Sequence, residues 1–425
     1  MPSRMTRRES LAAASALALG SVASSRVLAA PPDAAPREKK PVAAIVTSYY
    51  NVSHADVIVT KILEGWQRDG GPGPDLRLAS LYMDQVSPHD IGKDLAARHQ
   101  VRLCKSIDDA LTFGTDELQV AGVLLIGEHG DYPHTPDTHQ HMYPRRRFFE
   151  ETVAAFERCG QTAPVFNDKH LSYRWDDARW MVDKAQEMKF PFLAGSSLPL
   201  TRRAPLLELP LDCELDEALA IGYGPLESYG FHALETLQCM IERRRGGETG
   251  AASVQAVRGD AIRAAQKEGL WSGDLFAAAL ATFPGDRRDN GEWVHNEMSA
   301  AYLVPRRDGL KTSVLMADGL SPGFAFAARL KGQREPVATW FQLQDGGFFP
   351  HFAYLLQAFE ATVHAGRAVY PVERTLLTTG ILDRAMHSLA QDGERLATPE
   401  LQIAYRGADW PFANHPRATL QVPIE

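Results

Sequence analysis

Val42-Ala43-Ala44-Ile45-Val46, continuing into Thr47-Ser48-Tyr49-Tyr50-Asn51-Val52-Ser53-His54 and then a helical pattern over residues 55–66, is the stretch on which the fold turns. Five apolar residues without a polar break suit a strand buried on both faces. Val57, Ile58, Ile62 and Leu63 recur at the spacing that gives a helix one apolar face. The alternation continues with strands over 76–83, 120–126, 164–167 and 192–195 and helices over 91–99, 107–111, 148–158 and 175–188. Strands separated by helices of this length need right-handed crossovers, so the reading is a Rossmann-like, doubly wound parallel sheet in an α/β protein.

Past residue 200 the pattern changes. Strand-like runs at 249–258, 312–317, 324–331 and 336–344 follow one another with few helices between, which predicts a second, α+β domain with a mainly antiparallel open sheet. Helices over 352–364 and 375–390 close it. An open sheet with one free face is a ready dimer interface, so a homo-oligomer is expected.

The chain has 425 residues, enough for two cores, and 44% apolar and 23% charged residues, ordinary values for a globular protein. A formal net charge of -8 gives no reason to expect nucleic acid or an anionic membrane as partner. Arg4, Arg7 and Arg8 precede a weakly apolar, Ala-rich stretch ending in Val27-Leu28-Ala29-Ala30, and Thr6-Arg7-Arg8-Glu9-Ser10-Leu11 looks like a twin-arginine export signal. The expected organisation is a signal over 1–30, a Pro-rich linker over 31–41, the Rossmann-like domain over 42–200, the substrate and oligomerisation domain over 201–390, and a C-terminal extension over 391–425. The expected location is the periplasm. Cys104, Cys159, Cys213 and Cys239 are far apart and predict neither a zinc site nor a disulfide framework.

Two motifs carry chemistry. Val165-Phe166-Asn167-Asp168-Lys169-His170-Leu171 puts a lysine at the carboxyl edge of a parallel sheet, where such sheets bind ligands. Gly222-Tyr223-Gly224-Pro225-Leu226-Glu227-Ser228-Tyr229-Gly230-Phe231-His232 puts a histidine at the start of a helix. Together they resemble the Gfo/Idh/MocA oxidoreductases, with their Glu-Lys-Pro motif and a downstream Asp-x-x-x-His, over roughly residues 42 to 390.

The resemblance implies an oxidoreductase that acts on a sugar or polyol with NAD or NADP. Lys169 would orient substrate and cofactor, and His232 would move the proton of the reacting hydroxyl. It also places the cofactor on Thr47, Ser48, Tyr49, Asn51, His54, Asp84, Asp168 and Lys169. The sequence departs from the family in several places. Asp168 and His170 replace the motif's Glu and Pro, and Ser228 stands at the Asp position, so a relay would draw on Glu227 or Glu235. Val46, Ser48 and Asn51 occupy the places of the pyrophosphate-binding glycines.

A third cluster, Glu128-His129-Gly130-Asp131-Tyr132-Pro133 with His134, Asp137, His139 and His141, follows the strand at 120–126. Glu128 and His129 are candidates for substrate contact or proton transfer, and the loop as a whole for a divalent metal. Tyr143-Pro144-Arg145-Arg146-Arg147 adds charge nearby, either an anion site or a helix-flanking surface patch. Two alternatives to redox chemistry stay open: a lyase, hydratase or hydrolase of sugar derivatives using acid-base or metal groups, and a non-catalytic sugar-binding protein.

Overall fold

The computed structural model describes residues 38–343 and 348–420. The signal over 1–30 and its twin-arginine motif lie outside the described residues. The first layer runs through β1 (Lys40–Val46), α1 (His54–Glu64), β2 (Leu76–Met83), α2 (Gly92–Arg98), β3 (Arg102–Cys104), α3 (Ile107–Thr112), β4 (Gly122–Ile126), α4 (Arg145–Cys159), β5 (Val165–Asp168), α5 (Trp175–Met188) and β6 (Phe192–Gly195). All six strands are parallel, in the order β3-β2-β1-β4-β5-β6. The order reverses between β1 and β4, and the crevice beyond their carboxyl ends is where open α/β sheets take ligands.

Strand alternation explains why β1 is apolar throughout. Val42, Ala44 and Val46 pack against α1, while Ala43 and Ile45 pack toward α3, α4 and α5. The α1 face is completed from far along the chain. Helix α9 (His351–Ala365) places Phe352, Leu355, Leu356 and Phe359 there, although it follows the second sheet in sequence.

The second layer holds β7 (Arg202–Ala204), β8 (Leu215–Gly222), α6 (Ser228–Ile241), β9 (Ser253–Val257), α7 (Asp260–Lys267), α8 (Gly273–Leu280), β10 (Ala300–Leu303), β11 (Lys311–Met316), β12 (Phe324–Leu330) and β13 (Val337–Gln342). After α9 come α10 (Glu373–Ala390) and β14 (Leu396–Ala397), giving the order β14-β9-β10-β11-β8-β12-β13-β7. Only β8 and β11 pair in parallel. Residues 391–420, expected as an extension, supply β14 and bury Leu401, Ile403 and Phe412.

The free sheet face expected from the sequence is absent on the central strands. Leu219, Ile221, Leu315, Ala325 and Ala327 are covered by Trp271, Leu275, Phe276, Leu280 and Trp293. The short helices α7 and α8, missed in the sequence reading, carry that cover. With it the argument from a free face to an oligomer loses its footing. On the other face α6 and α10 lie between the sheets, and one apolar cluster runs from Ile45 and Val123 through Leu237 and Ile381 to Ala220 and Val314.

A buried carboxylate pins the end of α6. Glu248 accepts from Arg244, Gln238 and the N–H groups of Thr249 and Gly250, with Arg306 at 3.6 Å. Burial alone would raise its pKa; Arg306 and Arg244 overcome this and bring it to about 2. A carboxyl depressed in the fold stabilises above its unfolded value and loses that contribution as pH falls toward the folded one. Glu248→Gln is therefore expected to lower the unfolding free energy at pH 7 by roughly 3–5 kcal/mol, as for other broken buried pairs. In urea denaturation the deficit should shrink as pH falls from about 4.5 to 2.

Candidate functional site

Strands β4 and β5 end side by side, and both exits are left-handed. His129 has φ 69° and Lys169 φ 66°, a conformation uncommon outside glycine. The Lys169 N–H donates to the carbonyl of Gly195 at the end of β6 (3.1 Å), which fixes the turn. This backbone aims the last residue of β5 and the residue after it in different directions. Asp168 reaches α1, where its Oδ2 meets His54 Nδ1 at 2.6 Å. Lys169 Nζ meets Glu128 Oε1 at 3.2 Å.

Glu128 is held from its other side by Arg145, the first residue of α4 (2.5 Å). Arg145 is only 1% exposed, so the basic run does not begin as a surface patch. It also donates to His170 Nε2 (3.0 Å), and His170 stands 3.7 Å from Glu227, whose other oxygen accepts the N–H of His141 (2.8 Å). The network binds the ends of β4 and β5, the start of α4 and the start of α6 into one unit. Burial would raise the Glu128 pKa, but the Lys169 and Arg145 charges hold it well below the carboxylate range. For Glu227 burial outweighs the His141 N–H and the more distant Arg145 and Lys169 charges, and pushes it up to about 7.

A cavity of about 220 Å³ opens above these strand ends. His54, His129, Lys169, His232, Tyr229 and His351 bring polar groups to it, and Leu198, Phe324 and Phe352 bring apolar ones. The two residues singled out first, Lys169 and His232, thus line one cavity. It lies below the roughly 300 Å³ at which drug-sized sites begin, a size for a monosaccharide or smaller. Burial and then the neighbouring His54 bring His129 down to about 4; burial and then Lys169 hold His232 well below the usual histidine range. His129 Nε2 and His232 Nδ1 are sealed from solvent without a hydrogen-bond partner.

The other expected cofactor residues are not gathered into a trough. Thr47, Ser48 and Tyr49 are buried, and Tyr49 spends its hydroxyl on Thr60 (2.8 Å). Asn51 is exposed on the turn before α1. At the amino end of α1, where a pyrophosphate would sit, the chain places its own anion: Asp56 accepts the Val52 N–H at 2.8 Å and a two-pronged contact from Arg68 at 2.7 and 3.0 Å. Asp84, expected on the adenosine ribose, takes Tyr82 (2.8 Å), Tyr132 (2.6 Å) and Arg147 (2.6 Å). Although burial opposes it, these donors hold Asp84 below its usual range. Asp131 and Gln85 exchange two further bonds, so the loop after β4 lies across this position. The residues present do not fit the family's docking of a nicotinamide dinucleotide.

Nor does the loop after β4 form a metal site. Glu128 turns inward, His134 stacks on His141 and His141 on Tyr143 (both 4.1 Å), and Asp131, Asp137 and His139 are exposed. Among the described residues no group of three or more His, Cys, Asp or Glu side chains is placed to hold a metal. Glu235, weighed for a relay, bonds the Ser196 N–H (3.3 Å) and Thr378 (3.0 Å) and does not line the cavity. Sequence reading missed His351 as part of the site and noted His170 only as standing in the motif's Pro position. Arg145 lay in a run left between an anion site and a surface patch, and it binds a carboxylate of the chain itself, Glu128.

No protein-family model matches the sequence, and no curated protein matches it. Solved structures do match in fold. GenD2 from gentamicin A biosynthesis, in complex with NAD, aligns with TM-score 0.55 and 13% identity over 87% of this chain and 99% of that one. Scyllo-inositol dehydrogenase from Lactobacillus casei aligns at 0.53 and 9% over 85% and 98%. A probable dehydrogenase from Thermotoga maritima aligns at 0.51 and 11% over 85% and 99%. The resemblance to Gfo/Idh/MocA oxidoreductases is upheld at the level of the fold.

A carboxyl raised by burial destabilises the fold as pH climbs from its unfolded value to its folded one, because the folded chain then holds the extra proton. Glu227→Gln is expected to remove that fall between about pH 4.5 and 7, so that its unfolding free energy measured against wild type rises by roughly 2–3 kcal/mol from pH 4 to pH 7. Denaturation at several pH values measures it; parallel curves for the two proteins would place Glu227 in a wetter setting.

Proposed function

We propose that this chain acts on a small sugar- or polyol-like molecule by proton transfer in the cavity above β4 and β5. One observation carries the reading: the imidazole rings of His129 and His232, each with a buried nitrogen that has no hydrogen-bond partner, and the Lys169 ammonium belong to the lining of the same small cavity. Unsatisfied buried polar groups cost about 1–3 kcal/mol each, so a ring turn that brings either nitrogen to a ligand hydroxyl in the cavity recovers that cost. Lys169 uses one donor on Glu128 and keeps others for a substrate oxygen on which charge develops. His232 and His129, neutral at physiological pH, hold hydroxyls as donors or acceptors. Glu128 and Arg145 fix the ammonium in place. Phe324, Phe352 and Leu198 exclude water.

A second reading keeps NAD(P)-dependent oxidation of the same substrate class. It is favoured by the fold shared with the NAD complex of GenD2, and disfavoured by the side chains already occupying the places for pyrophosphate and ribose. Equilibrium dialysis against NAD and NADP separates the two, since retention at micromolar concentration supports oxidation. Delivery to the periplasm by the twin-arginine signal belongs to this proposal and suits an extracytoplasmic sugar derivative.

For the acid-base reading, wild-type protein incubated in D₂O with a panel of keto-sugars and inososes is expected to wash deuterium into at least one of them, as followed by mass spectrometry. Lys169→Ala should slow that exchange by about 10²–10³-fold, the usual loss when one oxyanion donor is removed. Exchange undiminished in Lys169→Ala would take the ammonium out of the chemistry.

A further inference from the structure

We propose that His54, held by Asp168, is the base that moves the proton at this cavity, in place of His232. The inference rests on the acid-base reading above and assigns its central step. His54 opens α1 directly after the capping Ser53, lines the cavity, and keeps 14% of its side chain exposed. Its Nδ1 lies 2.6 Å from Oδ2 of Asp168, whose side chain is 1% exposed. A neutral imidazole that donates its Nδ1–H to a carboxylate has its lone pair on Nε2, across the ring from that bond. The carboxylate then stabilises the imidazolium formed when Nε2 takes a proton.

Neither His129 nor His232 has this arrangement among the described residues. His129 Nε2 and His232 Nδ1 have no partner, and no carboxylate pairs with either ring. Both lie in the field of Lys169 and of His54 itself, which disfavours a second positive charge. The His54 ring is fixed from two sides, by Phe352 edge-on at 5.0 Å and by His129 at 5.4 Å. The charged and titratable groups facing it are Asp168 from β5, Lys169 beyond it, Glu128 and His129 after β4, His232 from α6 and His351 from α9.

In the proposed step a C–H bond beside a carbonyl, or an O–H bond, of the substrate breaks and an N–H bond forms at His54 Nε2. The electron pair is left on a substrate oxygen next to the Lys169 ammonium. The same imidazolium returns the proton, so nothing is oxidised and no co-reactant is consumed. Asp168 is a positioning residue and touches no substrate.

The test is carbethoxylation by diethyl pyrocarbonate, read histidine by histidine by peptide mass spectrometry across pH, on wild-type, Asp168→Asn and Asp168→Glu proteins. His54 should react ahead of His129 and His232. That lead should shrink in Asp168→Asn, whose amide does not hold the ring through Nδ1 as the carboxylate does, and should recover in Asp168→Glu. An unchanged lead in Asp168→Asn, or a His54 slower than His232, overturns the proposal. Deuterium wash-in supplies the second arm, where His54→Gln should lose exchange. Exchange kept by His54→Gln while Lys169→Ala loses it would leave the site standing and remove His54 as its base. If no panel member exchanges in wild type, the acid-base reading falls, and the reactivity order of the three proteins still decides whether Asp168 holds His54.

Discussion

The arrangement of this molecule depends on one carboxylate. Glu128 is a buried anion, and moving such a group out of water costs several kcal/mol unless cations and hydrogen bonds replace the lost hydration. Lys169 and Arg145 do so from opposite sides, and each comes from a different element. The interaction therefore sets more than a charge balance. It fixes how the exits of two parallel strands and the entry of α4 meet, and the cavity is the space that remains above them.

That constraint is compatible with a Rossmann-like sheet and at odds with a dinucleotide laid across it in the usual manner. A glycine-rich turn leaves helix N–H groups open so that a phosphate can approach. Here Ser53 caps α1 and Asp56 supplies an internal anion within its first turn, with Arg68 as counter-charge. Tyr132 and Arg147 close the ribose position in the same self-satisfied way. The chain keeps the Rossmann-like architecture, and the side chains at these positions bond one another.

Much of the fold is legible from local pattern. The runs at 42–46 and 120–126 have to be doubly buried strands because nothing polar interrupts them, and helices recur at crossover spacing. What is not legible is long-range. Helix α9 reads as a closing element of its own neighbourhood and lands on β1 and α1 instead, since an apolar face carries no address. Helices α7 and α8 are eight residues each, too short for a confident period. Lys169 and His232 could be picked out because motif and position agreed. The Asp168–His54 contact spans 114 residues, and Arg145 differs from the two arginines after it only in facing inward.

The two left-handed residues at the strand exits tie these observations together. Holding a non-glycine residue there costs about 1–3 kcal/mol and persists only where surrounding contacts over-determine it. His129 and Lys169 are adjacent across β4 and β5, flank the buried Glu128, and both face the cavity. Relaxing either would rotate its side chain away and leave Glu128 short of a cation or open the cavity floor. The strain is thus offset by the ion pair, and the ion pair is available only in the strained backbone. Such mutual dependence is what a preorganised site requires, because its groups then need no rearrangement when a ligand arrives.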